Sequence, residues 1–230
     1  MRKLGLIGGM SWESTALYYQ HLNKMVQARL GGLHSASLLL HSFDFAEIAA
    51  YQAQGQWEQA TAAIIKAAQA LEAGGADCVM ICTNTMHKMA PEVAASIHIP
   101  LLHIADATGR VLEKKNLKTP CLLGTAYTME EDFYKGHLER HYPCQVMTPN
   151  AEDRKIVHDI IYNELCQGQV REQSREQYQA IIQKAVDQGA DSVILGCTEI
   201  GLLISQENTA VPVLDTLYYH CLDAVDFALS

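Results

Sequence analysis

Two short segments of this chain carry side chains suited to proton transfer. Cys82-Thr83-Asn84-Thr85 and Cys197-Thr198-Glu199 follow the apolar runs Cys78-Val79-Met80-Ile81 and Ser192-Val193-Ile194-Leu195, each the length of a buried strand. A thiol near its ordinary pKa of ~8.5 can give or take a proton once its surroundings shift it; a threonine hydroxyl can give one but is a poor base near neutral pH. Asn84, Thr85 and Thr198 add donors for a carboxylate and for negative charge developing beside it. Glu199 can hold an ammonium group or tune Cys197, or serve only as an acidic residue in a first helical turn. If a helix starts after each segment, its free N–H groups and positive end favour an anion there and lower the pKa of a thiol. Ser, Thr and Asn are also ordinary helix caps, so one such segment alone is ambiguous. Two of them, at matching places and carrying cysteines, favour chemistry.

The elements that must position these segments alternate. Short strands are expected at Leu4–Ile7, Ser37–His41, Cys78–Ile81, Pro100–His103, Cys121–Leu123, Gln145–Met147, Ser192–Leu195 and Val213–Leu214, with helical patterns between them. Trp57 to Ala73 is an Ala-rich helix that Gly74-Gly75 ends. Such alternation implies parallel sheets with helices on both faces. The chain also repeats itself. Gly75-Ala76-Asp77 recurs as Gly189-Ala190-Asp191, Ile7-Gly8 as Leu123-Gly124, and Ile99-Pro100-Leu101-Leu102 as Val211-Pro212-Val213-Leu214. The order is the same, with 67 residues from Gly8 to Gly75 and 65 from Gly124 to Gly189, as an ancient duplication would leave them. The expected fold is α/β, with two pseudo-symmetric halves: residues 1–102 plus 212–230, and 103–211. Ligands of parallel sheets bind beyond the carboxyl ends of the strands, so the active site is expected between the halves, at these loops. The loops after the first strands, with Met10 and Ser11 in one and Thr125 in the other, belong to the same set.

Ile7-Gly8-Gly9-Met10, Asn84-Thr85 followed by His87, and Leu195-Gly196-Cys197-Thr198-Glu199-Ile200 resemble the aspartate/glutamate/hydantoin racemase superfamily over essentially the whole chain. Within it the likeness is greatest to the enterobacterial aspartate/glutamate, or broad-specificity amino-acid, racemases. The resemblance implies two flavodoxin-like domains, no pyridoxal phosphate, no metal, a small amino acid as substrate and commonly a homodimer. It also implies two cysteines flanking the substrate Cα, one in Cys-Asn-Thr and one in Gly-Cys-Thr, the latter serving the L-face.

This sequence departs from that pattern at the first cysteine. Thr83 directly precedes Asn84-Thr85, and Cys82 lies one residue earlier. The internal repeat gives an independent register: Cys197 lies six residues after Asp191, and six residues after Asp77 is Thr83. Adjacent residues at a strand end point in opposite directions, so if Thr83 faces the substrate, Cys82 faces away; a bulge at the strand end would restore Cys82. The expected reaction is therefore lopsided. Cys197 as thiolate takes the α-proton of the L-enantiomer, and Thr83, directly or through a water, returns one, making the L-to-D direction the faster. Aspartate-specific relatives resemble one another in holding the distal carboxylate with an Arg and a Lys; the aligned positions here are Ile48 and Cys166. Both are uncharged, which favours a neutral polar side chain such as that of homoserine beside aspartate or glutamate, with Gln52 one turn from Ile48 as a hydrogen-bonding group. Two other readings stand beside this one: a catalytically weak amino-acid-binding protein, or another isomerase or decarboxylase of the superfamily.

Composition narrows the classes further. The 230 residues carry a net charge of -9, which argues against nonspecific nucleic-acid binding. No run of about 18 apolar residues suggests a membrane span, and the basic start Met1-Arg2-Lys3 lacks the apolar stretch of a signal peptide. Seven cysteines without Cys-x-x-Cys spacing fit free thiols in the cytoplasm. Of the ten histidines, His34, His41, His87, His98 and His103 show no metal-ligand spacing with Cys or Asp/Glu, so no metal site is expected, and Gly5-x-x-Gly8-Gly9 lacks the pattern of a dinucleotide loop.

Overall fold

The apolar runs become the inner strands of two parallel sheets, covered on both faces and therefore apolar throughout rather than alternating. The computed structural model describes all 230 residues and divides them into two units, Met1–Ile104 with His220–Ser230, and Ala105–Tyr219.

In the first unit β1 (Leu4–Gly8), α1 (Trp12–Leu30), β2 (Leu38–Ser42), α2 (Phe45–Ala53), α3 (Trp57–Ala73), β3 (Cys78–Ile81), α4 (Ala90–Ala95) and β4 (Leu101–Leu102) follow in order, and α5 (Ile104–Lys115) leads out. The strand order is β2-β1-β3-β4, all parallel. β1 and β3 are wholly buried; β2, at the edge, is only partly so. Ala60, Ile64, Ala67, Ala68 and Leu71 form one buried face of α3, and its small residues let the helix lie close on Ile7, Val79 and Ile81.

The second unit holds β5 (Pro120–Gly124), α6 (Ala126–Glu130), α7 (Asp132–His141), α8 (Ala151–Asn163), α9 (Glu172–Asp187), β6 (Ser192–Gly196) and β7 (Val213–Asp215), and α10 (Thr216–Leu229) follows. Its parallel sheet runs β5-β6-β7. The strand expected at Gln145–Met147 is reduced to a single parallel bridge between Met147 and Cys121, made by Leu122 N–H to Met147 O and Met147 N–H to Pro120 O. Gln145 N–H also reaches Lys118 O, but Pro120 in β5 and Pro149 after the segment have no N–H to donate in return, so the ladder goes no further. With the bridge included, the order repeats that of the first unit. The later domain boundary also differs from the expected 212. β7 pairs with β6 from Val193↔Val213 to Leu195↔Asp215, so residues up to Tyr219 stay with the second unit. No helix is long and apolar enough to cross a membrane.

The duplicated Gly-Ala-Asp mark has a mechanical role. Gly75 and Gly189 both sit at positive φ, 84° and 102°, turning the chain out of α3 and α9. The carboxylate of Asp77 accepts the N–H of Lys3, and that of Asp191 accepts those of Lys118 and Thr119. Each Asp thereby fixes the entry of the first strand against the third. Burial alone would raise the Asp191 carboxyl, but these backbone donors hold it below its ordinary value.

Candidate active site

The segments after β3 and β6 occupy the same place in the two sheets. Cys82 donates its N–H to Ile7 O and ends the pairing with β1; Gly196 is paired with Gly124 in β5. The next residues, Thr83 and Cys197, therefore correspond. Burial follows the same parity. Cys82 is 1% exposed and Gly196 is buried, whereas Thr83 and Cys197 are both half-buried. Desolvation pushes the Cys82 thiol far above its ordinary pKa, and nothing nearby opposes it. Cys82 is held as a small apolar group, without the strand-end bulge that would turn it outward.

Cys197 differs from expectation in its electrostatics. The segment after it is a five-residue 3₁₀ helix, Thr198–Leu202, not an α-helix, so the dipole at its start is weak. Desolvation and the neighbouring Glu199 carboxylate, with Cys166 adding to them, push the thiol well above its ordinary value rather than below it. The Sγ–H of Cys197 donates to Glu199 Oε2 at 3.1 Å, and the Thr198 hydroxyl donates to the same oxygen at 2.7 Å. Glu199 is buried, so this carboxylate acts on the thiol through little water. Its Oε2 accepts from the side chains of both preceding residues.

Neither Asn84 nor Cys197 uses its side chain as a helix cap. Asn84 and Thr85 are buried at the head of the 3₁₀ helix Thr85–Met89. The first-strand loops contrast with this. Ser11 caps α1 by accepting the Ser14 N–H, and Thr125 caps α6 by accepting that of Thr128. Gly9 is required there: its φ is 82°, and a Cβ would stand 2.3 Å from Phe43 O. Met10 is buried in the first core, as is Ile48, and the Gln52 amide lies 3.1 Å from Met86 Sδ.

Cys166, in the 3₁₀ turn Leu165–Gln167, is half-buried and packs with Cys197 and Tyr162 on the second core. Desolvation, followed by Cys197 and Cys166, keeps the Tyr162 phenol protonated well above its ordinary range. Thr216 was not legible as a contributor. Its hydroxyl donates to Leu195 O at 2.8 Å, bracing β6 two residues before Cys197. No local motif signals it, since the contact spans 21 residues.

Residues 7–223 match the Asp/Glu/hydantoin racemase family. A chain from Yersinia pestis, described as a candidate Asp/Glu racemase, is 48% identical over all of both chains, with a TM-score of 0.95. An aspartate racemase homologue of Pyrococcus horikoshii OT3 is 32% identical over all of both chains, with a TM-score of 0.88. The broad-specificity amino-acid racemase of Bacillus subtilis (strain 168) is 24% identical over 161 residues, 67% of this chain. That match spans 66% of the curated relative's length.

Proposed function

Because this chain belongs to the Asp/Glu/hydantoin racemase family, with the two flavodoxin-like domains of that family, we propose that it is an isomerase that interconverts L- and D-amino acids by α-proton transfer between Cys197 and Thr83. The observation that carries the assignment of the pair is the matched burial at the two strand ends, with Thr83 and Cys197 half-buried and Cys82 sealed in.

In the L-to-D direction the Cα–H bond of the substrate breaks and its proton passes to the Cys197 thiolate. The electron pair delocalises into the substrate carboxylate. Asn84, Thr85 and Thr198 supply the donors that stabilise this charge, with Met10, Ser11 and Thr125 shaping the site. A proton from the Thr83 hydroxyl, directly or through one water, then forms the new Cα–H bond on the opposite face. Solvent reprotonates the threonine alkoxide and takes the proton from the thiol, so the cycle closes with no redox change and no cofactor. The Glu199 carboxylate makes the thiolate scarcer but more basic, which suits a weakly acidic C–H. In the D-to-L direction threonine must be the base, so that direction is slower; the equilibrium constant is unaffected.

Ile48 and Cys166 place no cation where the aspartate-specific pattern holds one, while Gln52 offers an amide. The substrate class is therefore a small polar amino acid, aspartate, glutamate or homoserine. A chiral chromatographic screen of the common L-amino acids in deuterated water tests the whole reading. The expected result is a D-product carrying α-deuterium from at least one polar substrate. Absence of both inversion and α-exchange across the panel overturns it.

A further inference from the structure

The β3–β4 ladder ends early. It pairs Val79 with Leu101 and Met80 with Leu102, where β4 stops. Beyond that point the strand ends are joined by a side chain. The His87 imidazole has Nδ1 2.8 Å from the carbonyl oxygen of Thr83 and Nε2 3.2 Å from the backbone nitrogen of Ile104. The Ile104 N–H can only donate, so Nε2 accepts and Nδ1 carries the hydrogen to Thr83 O. The ring is thus neutral, in one tautomer, and 1% exposed.

Its plane is held as well. His87 meets His103 edge-on at 4.6 Å between centroids and His220 at 5.9 Å. His220 is itself fixed, with Nδ1 2.9 Å from the Tyr18 hydroxyl and Nε2 2.8 Å from Leu102 O. The stack is therefore anchored to the last residue of β4.

Only one torsion separates the Thr83 hydroxyl from its backbone, so the place of that oxygen follows the backbone closely. We infer that His87 is a positioning residue, bridging the parted strand ends so that the Thr83 hydroxyl is aimed for the second proton transfer. The inference rests on Thr83 being the donor. Since both ring nitrogens engage backbone groups, His87 acts on the place of the hydroxyl and not as its proton relay.

The experiment compares two readouts from one L-substrate in deuterated water: deuterium entering the remaining L-enantiomer, and D-product formed. The first needs only Cys197 and exchange of its thiol with solvent; the second also needs Thr83. In His87→Ala the ratio of D-product to L-exchange should fall about tenfold, the scale of one lost well-placed hydrogen bond. His87→Asn, whose amide N–H can stand where Nδ1 stands, should recover more of the ratio than His87→Gln, and this comparison decides the matter if the alanine variant does not fold. A proportional loss of both readouts in His87→Ala, or equal ratios in the Asn and Gln variants, overturns the inference. Thr83→Val separates the two levels. If it lowers the ratio while the His87 variants do not, only the positioning role fails. If it leaves the ratio unchanged, the assignment of Thr83 fails and the positioning role with it.

Discussion

Glu199→Gln isolates the electrostatic control of the Cys197 thiol, because it removes a charge at almost constant volume. Cys197 Sγ and Glu199 Oε2 are 3.1 Å apart. Two unit charges at that distance repel by about 1.3 kcal/mol even at the dielectric constant of water, a factor of about ten in the thiolate population. Cys197 is half-buried, so this is a floor. A less basic thiolate is also a weaker nucleophile, and a Brønsted slope of about 0.5 returns roughly a factor of three. The net expectation near neutral pH is at least about threefold faster alkylation of Cys197 by iodoacetamide in the variant. The assay is mass spectrometry of the Cys197 peptide over time, which separates it from the half-buried Cys144 and Cys166. The sign follows from the direction of the shift: the carboxylate raises the thiol pKa, so its removal moves the reactive limb to lower pH. Well above that limb the order inverts, because the wild-type thiolate is the stronger nucleophile. Equal or slower alkylation of the variant near neutral pH refutes the carboxylate–thiol coupling.

Cys197→Ala should reduce racemisation in both directions by about 10²–10⁴, read as initial rates by chiral chromatography. Thr83→Cys should raise the D-to-L initial rate toward the L-to-D rate, because a thiol replaces a group that is a poor base; an unchanged D-to-L rate counts against Thr83 as the second group. The L-to-D rate at saturating substrate should climb as pH rises past the ordinary thiol range, since desolvation and Glu199 push Cys197 up; a profile flat across that range excludes a thiolate base. Gly9→Ala should lower urea-unfolding stability by more than about 2 kcal/mol, because φ of 82° and backbone atoms 2.3 and 2.4 Å from the new Cβ combine. Thr216→Val should cost about 1 kcal/mol in the same assay by removing the hydroxyl bond to Leu195 O.

The alternation of elements was legible because buried parallel strands are short and almost continuously apolar, as β1, β3, β5 and β6 are. Trp57–Ala73 was legible to the residue, since a run of small apolar side chains ends at two glycines. What failed had causes outside the segments themselves. The segment Gln145–Met147 has strand composition, yet two prolines outside it limit the ladder to one bridge. Val213–Asp215 lies between two possible partners in the chain, and only pairing with β6 assigned it.

At the site, the sequence by itself determined the register. The repeated Asp, six residues before Thr83 and before Cys197, set the two residues in correspondence, since side chains alternate along a strand and the same count gives the same face. Tertiary structure alone decided their condition. That Cys82 is sealed in and Thr83 reaches the surface depends on what packs over a strand end. That Cys197 is a raised thiol, and not the lowered one a helix start would give, depends on a buried carboxylate folding back 3.1 Å from its sulfur, and on a helix too short and too tightly wound to oppose it. The clamp of His87 between Thr83 and Ile104 is of the same kind: the histidine is visible in the chain, but its tautomer and its purpose come from two backbone groups that only the sheet brings together.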